Sequence, residues 1–283
     1  MVTRHDPVDD QPTRRQGGQV GAYFRGERRE VPPPDGSDQP SSMVGRVAID
    51  DHQRSAGGGL ITAGLVTCID SVGGFLSGLT VLPRWIVTSS LAVQVVRLDQ
   101  LGPLRVEVRV LRKGRNSVVG AVNVVDEGAG DLEVATGMIT SAVLDPRSMS
   151  LESERPAVIP MPPPVAEPVP LETFFGIEPG TGRTTRLLLD DRLRNPWGIL
   201  HGGAVATLVD VAACRAVADG RAVPVATTAI DLHYLAPIRV GPVEARVSVL
   251  GRRPDGTVAR VAVHDLGNGD RLSVVASVTV REL

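Results

Sequence analysis

The two halves of this chain resemble each other, and this internal repeat constrains the fold more than any other feature. Residues 44–74 align without a gap on residues 184–214. The matched positions include acidic, hydroxyl and turn residues, namely Asp50 with Asp190, Asp51 with Asp191, Asp70 with Asp210, Thr88 with Thr227, and Gly102-Pro103 with Gly241-Pro242. Several matches in the same order indicate a duplicated unit.

The length of the chain accommodates two such units. It has 283 residues, which is enough for two domains of ordinary size. Residues 1–18 are polar and are predicted to form a disordered tail. A proline-rich stretch over residues 145–170 predicts a semi-rigid linker. We therefore expect repeat 1 over residues 19–144 and repeat 2 over residues 171–283.

Composition argues against several classes of protein. A formal net charge of -2 gives no overall attraction for nucleic acid or an anionic membrane, and 3% aromatic residues are too few for base stacking. We see no unbroken apolar run of about 20 residues and no stretch typical of a signal peptide. We therefore expect a cytoplasmic protein with an aliphatic core. Cys68 and Cys214 are expected to be free thiols, and neither has a metal-ligand spacing.

Each half shows the same order of predicted elements. A strand (Val44–Asp51 or Thr184–Asp191) leads through a glycine-containing loop into a helix (about Thr62–Leu79 or Gly202–Asp219). At least three strands follow, with alternating apolar residues, at Arg105–Arg112, Ser117–Asp126 and Val134–Leu144 and at Val243–Leu250, Val258–Asp265 and Leu272–Arg281. Consecutive strands joined by short turns pair antiparallel.

The helix of the second half is apolar on nearly every face, so we expect it to be buried on all sides. One buried helix amid antiparallel strands implies a curved sheet wrapped around that helix, which is the hotdog arrangement. The expected fold class is α+β, a double hotdog in which the two repeats form a pseudo-dimer.

One segment of the second half carries a family resemblance. It contains Asn195, then His201-Gly202-Gly203 at the predicted helix start, then Asp210 nine residues beyond the histidine. This pattern resembles the signature of PaaI-like hotdog thioesterases, strongly over residues 184–283 and more weakly over residues 44–144. The resemblance implies hydrolysis of acyl-CoA thioesters without a metal or other cofactor.

The physical chemistry of the helix start agrees with that resemblance. The first N–H groups of a helix have no partner within the helix, and the helix dipole adds positive partial charge there. Gly202 and Gly203 would let a thioester carbonyl approach these amides closely. His201 could orient the loop or donate to the carbonyl oxygen, and Asn195 could hold the attacking water or a carboxylate. Tight packing of the glycines and a structural role for the histidine are the alternatives.

The carboxylate for this site has to come from the other repeat. Asp210 lies nine residues after His201, about 13 Å along its own helix, so it cannot reach a carbonyl bound at that helix start. The family builds its sites across a pair of hotdog units, which assigns Asp70 of repeat 1 as general base or nucleophile. Thr88 aligns with the family position that bears a water-orienting hydroxyl. Asp70 and Asp210 could instead serve only as hydrogen-bonding structural groups.

The pseudo-symmetric site departs from the family pattern. Ser55 replaces the asparagine, Ile61 the histidine and Thr62 the first glycine. We expect this second site to be weak or inactive in catalysis, while Asp210 and Thr227, together with Gly203 of the first site, are assigned to substrate binding. A decayed acyl-CoA-binding protein and a hotdog hydratase or dehydratase are the alternative functions. Pairing of whole chains into a homodimer or a higher homo-oligomer is expected.

Overall fold

The computed structural model describes residues 19–24, 26–31, 41–144, 169–195 and 197–283. The predicted tail over residues 1–18 lies outside the described residues, as does the predicted linker except for its last two residues. The described elements of the two repeats follow each other in the same order along the chain, so each repeat can be traced onto the other.

The elements of repeat 1 are α1 (Val20–Tyr23), β1 (Gly26–Val31), β2 (Ser42–Val47), α2 (Thr62–Val81), β3 (Trp85–Val95), β4 (Leu104–Lys113), β5 (Ser117–Asp126) and β6 (Leu132–Leu144). Their counterparts in repeat 2 are α3 (Leu171–Phe175), β7 (Ile177–Pro179), β8 (Thr184–Leu187), α4 (Gly202–Ala218), β9 (Val225–Tyr234), β10 (Val243–Arg253), β11 (Gly256–Asp265) and β12 (Arg271–Glu282). The predicted helices and later strands are present, with bounds shifted by up to three residues.

All of these strands form one antiparallel sheet. Its order is β1-β2-β4-β5-β6-β3-β9-β12-β11-β10-β8-β7. Counted inward from either edge of the sheet, the strands of the two repeats therefore follow the same order. The repeats join where β3 pairs with β9. At the centre of this pairing Ala92 lies opposite Asp231, which is its own counterpart in the other repeat. An antiparallel pair of equivalent residues places a pseudo-twofold axis at this point.

The two long helices, α2 and α4, lie against the inner face of the sheet and against each other. They are in close contact, since a Cβ on Gly203 would collide with the Thr67 side chain. Helix α2 is long and apolar enough to cross a membrane by length and hydropathy, but 67% of that apolar segment is buried inside the fold. It is therefore the core helix of repeat 1, as the expected hotdog arrangement requires.

Two sequence expectations about the fold were wrong in detail. The strand that was predicted to open each repeat is β2 or β8, and β1 or β7 precedes it. It ends at Val47 or Leu187, four residues earlier than predicted, because Asp50 and Asp190 each cap a 3₁₀ turn. The core is not wholly aliphatic either. Where α1 and α3 meet, four rings pack with centroid distances of 4.4–6.0 Å: Tyr23, Phe24, Phe174 and Phe175.

Candidate active site

Helix α4 begins with a histidine cap. His201 is the N-cap residue, and its Nδ1 accepts a hydrogen bond from the Gly203 N–H at 2.9 Å. Because Nδ1 is the acceptor, the neutral ring carries its proton on Nε2. Burial lowers the pKa of His201, against an opposing contribution from Asp70, so the neutral form is favoured. The imidazole is therefore a cap on one side and an N–H donor on the other.

The Gly202 N–H is the amide left open at this helix start. Within the described part of the chain it donates no hydrogen bond, whereas the Gly203 N–H is bound by the cap. Gly203 also packs against Thr67. The role of Gly203 is therefore packing and capping, and the substrate-binding role predicted for it is not supported by its contacts.

The loop before α4 is held by Asn195. Its Oδ1 accepts hydrogen bonds from the backbone N–H groups of Trp197 at 3.0 Å and Ile199 at 3.3 Å. This is the local turn chemistry that asparagine favours. Among the described residues the side chain makes no hydrogen bond to Asp70. The contacts thus place Asn195 as the residue that shapes the loop, and a direct role with water stays a prediction.

Asp70 of repeat 1 lies beside the start of α4 in repeat 2. Its Oδ2 is 2.9 Å from the position that a Cβ on Gly202 would take. Its Oδ1 accepts a hydrogen bond from Thr88 Oγ1 at 2.6 Å. Both side chains are only partly buried. The structure therefore brings together four of the predicted residues (Asp70, Thr88, His201 and Gly202) across the boundary between the repeats.

Tyr234 is a site residue that the sequence analysis missed. Its hydroxyl donates to the Gly202 carbonyl oxygen at 3.1 Å and lies 3.3 Å from the same Cβ position that Asp70 approaches. Burial first, and then the charge of Asp70, raise the pKa of Tyr234 well above its usual value, so the phenol stays protonated. The sequence signal for this residue was a difference between the repeats, because an aliphatic residue, Val95, stands at the position equivalent to Tyr234.

The pseudo-symmetric site is closed. Asp210 Oδ1 accepts from Thr227 Oγ1 at 2.5 Å, and Oδ2 accepts from the Ala63 N–H at the start of α2 at 2.9 Å. Asp210 is 1% exposed and Thr227 is 2% exposed. Cys214 Sγ, 3.6 Å from Asp210 Oδ1, fills the space that Gly74 leaves open in the other site. The substrate-binding role predicted for Asp210 and Thr227 is therefore not supported by this arrangement, because their oxygens are already bound and buried.

Thr62 completes this closure. It takes the place of Gly202, and its Oγ1 donates to the Thr227 carbonyl oxygen at 2.7 Å. Its side chain therefore occupies the region that the glycine leaves free in the other site. Weak or absent catalysis at this second site stays a prediction.

No metal site accompanies either carboxylate. Over the described ranges there is no group of three His, Cys, Asp or Glu side chains that could hold a metal ion. Cys68 and Cys214 are both free, as expected. A cleft of about 750 Å³ lies outside the closed site, lined in part by Gly57, Gln94, Thr228 and the arginines Arg97, Arg253 and Arg281. Arg97 and Arg253 pair with Asp99 and Asp255, which leaves the cleft with little net positive charge.

Comparisons with known proteins agree with this architecture. Residues 198–279 match the model of the Thioesterase superfamily. No curated protein matches the sequence. Among solved structures, a 12:0-ACP thioesterase from Umbellularia californica aligns over 87% of this chain and 95% of its own, with a TM-score of 0.61 and 12% identity.

Two further structures extend the comparison. The tesB protein of Mycobacterium avium subs paratuberculosis aligns over 95% of this chain and 99% of its own, with a TM-score of 0.60 and 14% identity. A hot dog fold protein of unknown function from Alicyclobacillus acidocaldarius aligns over 87% and 95%, with a TM-score of 0.56 and 16% identity. The chain thus has the double-hotdog fold, and its second repeat matches the sequence model of the thioesterase superfamily.

Proposed function

We propose that this protein is a PaaI-like thioesterase that hydrolyses acyl-CoA to the free acid and CoA at one active site between its repeats. The observation that carries the proposal is the position of the Asp70 carboxylate, 2.9 Å from where a side chain on Gly202 would begin. A base on one repeat therefore lies beside the residue that carries the open amide on the other. The superfamily match of residues 198–279 and the thioesterases among the structural neighbours support the same reaction.

The carbonyl oxygen of the thioester is assigned to the start of α4. The open Gly202 N–H donates to it. The oxygen becomes negative in the tetrahedral transition state, where fixed donors and the positive end of a helix stabilise it most. Neutral His201 supports this arrangement because its Nδ1 caps the Gly203 N–H and leaves the Gly202 N–H as the open donor.

The attacking water is assigned to the space beside Gly202. Asp70 Oδ2 and Tyr234 Oη lie 2.9 and 3.3 Å from the position that a Cβ on Gly202 would take, so a water molecule beside the Gly202 α-carbon would have both oxygens as neighbours. Asp70 takes a proton as the water oxygen bonds to the carbonyl carbon. When the tetrahedral intermediate collapses, the C–S bond breaks and the thiolate leaves with the proton that Asp70 held. Thr88 holds the carboxylate in place through its hydrogen bond.

Thiol release from a panel of acyl-CoA and acyl-carrier-protein substrates tests the proposal. We expect turnover by the wild type, a loss of at least about a hundredfold in kcat for Asp70→Asn, and near wild-type activity for Asp210→Asn. Because the two aspartates occupy equivalent positions, Asp210→Asn is the matched control. Binding of acyl-CoA without turnover would favour the binding-protein alternative, and equal losses in both variants would refute a single site.

A further inference from the structure

The two equivalent carboxylates differ in one hydrogen bond. Each receives a threonine hydroxyl on Oδ1, at 2.6 Å for Asp70 and 2.5 Å for Asp210. Asp210 Oδ2 also accepts the Ala63 N–H of the opposite helix at 2.9 Å. Asp70 Oδ2 accepts no hydrogen bond from any residue in the described ranges, although it lies beside the start of α4. One carboxylate is thus bound to a helix start and the other is free.

The residue before each helix accounts for the difference. Before α4, His201 satisfies the second amide of the helix through Nδ1, at 2.9 Å from the Gly203 nitrogen. Before α2, Ile61 has no side-chain acceptor, and no side chain of its own repeat caps the start of the helix. The equivalent Ala63 N–H is buried and would have no partner without Asp210. A buried N–H without an acceptor is costly, and a carboxylate is the strongest acceptor available to it.

We propose that His201 is a positioning residue, which caps Gly203 and so keeps the Asp70 carboxylate from binding the start of α4. Without that cap, Asp70 Oδ2 would take the Gly203 N–H as Asp210 takes the Ala63 N–H. Two donors would then hold the Asp70 carboxylate, and it could no longer take a proton from the attacking water. This role is separate from any donation by His201 Nε2, and its catalytic consequence rests on the proposed thioesterase function.

Two substitutions at position 201 separate capping from direct participation. His201→Ile reproduces the residue found in repeat 1, and His201→Asn removes the imidazole but keeps a side chain that is among the best helix caps. We expect His201→Ile to lower kcat about ten- to a hundredfold with KM changed less than about threefold, since one charge-assisted cap is of that order. His201→Asn should recover most of that loss.

Equal losses of kcat in the two variants would overturn the inference, because they would show that the imidazole itself is needed. Full activity of His201→Ile would overturn it as well. Crystal structures give a readout that does not depend on turnover. In His201→Ile, Asp70 Oδ2 should lie within hydrogen-bond distance of the Gly203 nitrogen.

The opposite experiment in repeat 1 keeps the inference testable if His201→Ile does not fold. Ile61→Asn supplies a cap to α2, so a crystal structure should show the Ala63 N–H bound to the introduced amide side chain and Asp210 Oδ2 released from it. Asp210 still bound to Ala63 would overturn the inference. If wild-type protein releases no thiol from any substrate, the proposed function fails, but these structures still decide whether the residue before the helix sets the partner of the carboxylate.

Discussion

Gly202 combines two properties that no other residue type could supply. It leaves its own N–H open at the start of α4, and it leaves empty the space that Asp70 and Tyr234 face. In the closed site the equivalent residue is Thr62, whose side chain occupies that region. The size of one side chain therefore separates an open site from a closed one.

Substitution of Gly202 tests this at the residue scale. Gly202→Ala should lower kcat/KM at least about a hundredfold, because the added methyl group would lie 2.9 Å from Asp70 Oδ2 and exclude the water and the carbonyl. Folding should be unaffected or slightly improved, since alanine favours a helix more than glycine. Steady-state kinetics and the melting temperature measure both effects.

Gly251→Ala is the matched control for this substitution, because a Cβ at position 251 would meet nothing within 4 Å. Its kinetics should equal those of the wild type. An active Gly202→Ala variant would contradict the proposed place of the thioester.

At the scale of elements, α4 and the start of α2 are joined by a buried hydrogen-bond network inside an apolar core. Asp210 belongs to α4, Ala63 to α2 and Thr227 to β9, and their hydrogen bonds tie the three elements together. Burial raises the pKa of Asp210, while hydrogen bonds from Thr227, Ala63 and Cys214 oppose that rise. The buried surroundings therefore disfavour the charged form of Asp210, which this network contains.

The pH dependence of stability follows from this raised pKa. The folded state binds the proton of Asp210 more tightly than the unfolded state, so wild-type stability falls as the pH rises from the ordinary aspartate value through the raised one. Asparagine can accept the Ala63 N–H without a charge. We expect Asp210→Asn to gain stability relative to the wild type over that pH range and to keep the gain above it.

Melting temperatures of both proteins between pH 4 and pH 8 measure this effect. Asp210→Asn should melt at a higher temperature than the wild type at neutral pH, and the difference should grow as the pH rises through this range. A difference that shrinks as the pH rises would contradict the assignment of the shift to Asp210.

At the scale of the whole molecule, the sheet brings the residues of the candidate site together. The pairing of β3 with β9 fixes one repeat against the other, and the two core helices then bring Asp70 to Gly202 and Asp210 to Ala63. The duplicated chain thereby forms the pair of units that a hotdog site needs. The two sites differ because each position exists in two copies within the chain, such as Gly202 and Thr62.

We predict that whole chains pair further into a homodimer. Both repeats expose large apolar side chains at equivalent positions, such as Val96 and Leu235 at 73% and 56%, and Leu101 and Val240 at 63% and 55%. A twofold pairing would cover these residues in both chains. Light scattering during gel filtration should give twice the mass of the chain, and a monomer mass at all concentrations would contradict the prediction.

Much of this fold could be predicted from the sequence because its signals are local. The alternating strands, the apolar helices and the repeated positions each depend on neighbours along the chain. Strands β2 and β8 were predicted too long because Asp50 and Asp190 continue the pattern although they cap a turn. The aromatic cluster of Tyr23 with Phe174 was not predicted, since it joins segments far apart in the chain.

The order of residues along the chain is enough to predict that a carboxylate of one repeat serves the helix start of the other, because helix geometry keeps Asp210 away from its own N-terminus. The sequence already favours Asp70 over Asp210 as the base, but the hydrogen bonds that leave one carboxylate free and hold the other emerge only from the folded molecule. That choice depends on which acceptor lies nearest a buried amide, and the structure places His201 Nδ1 on Gly203 but Asp210 on Ala63. The contribution of Tyr234 has the same origin, because strand β9 reaches Gly202 only after the chain has folded.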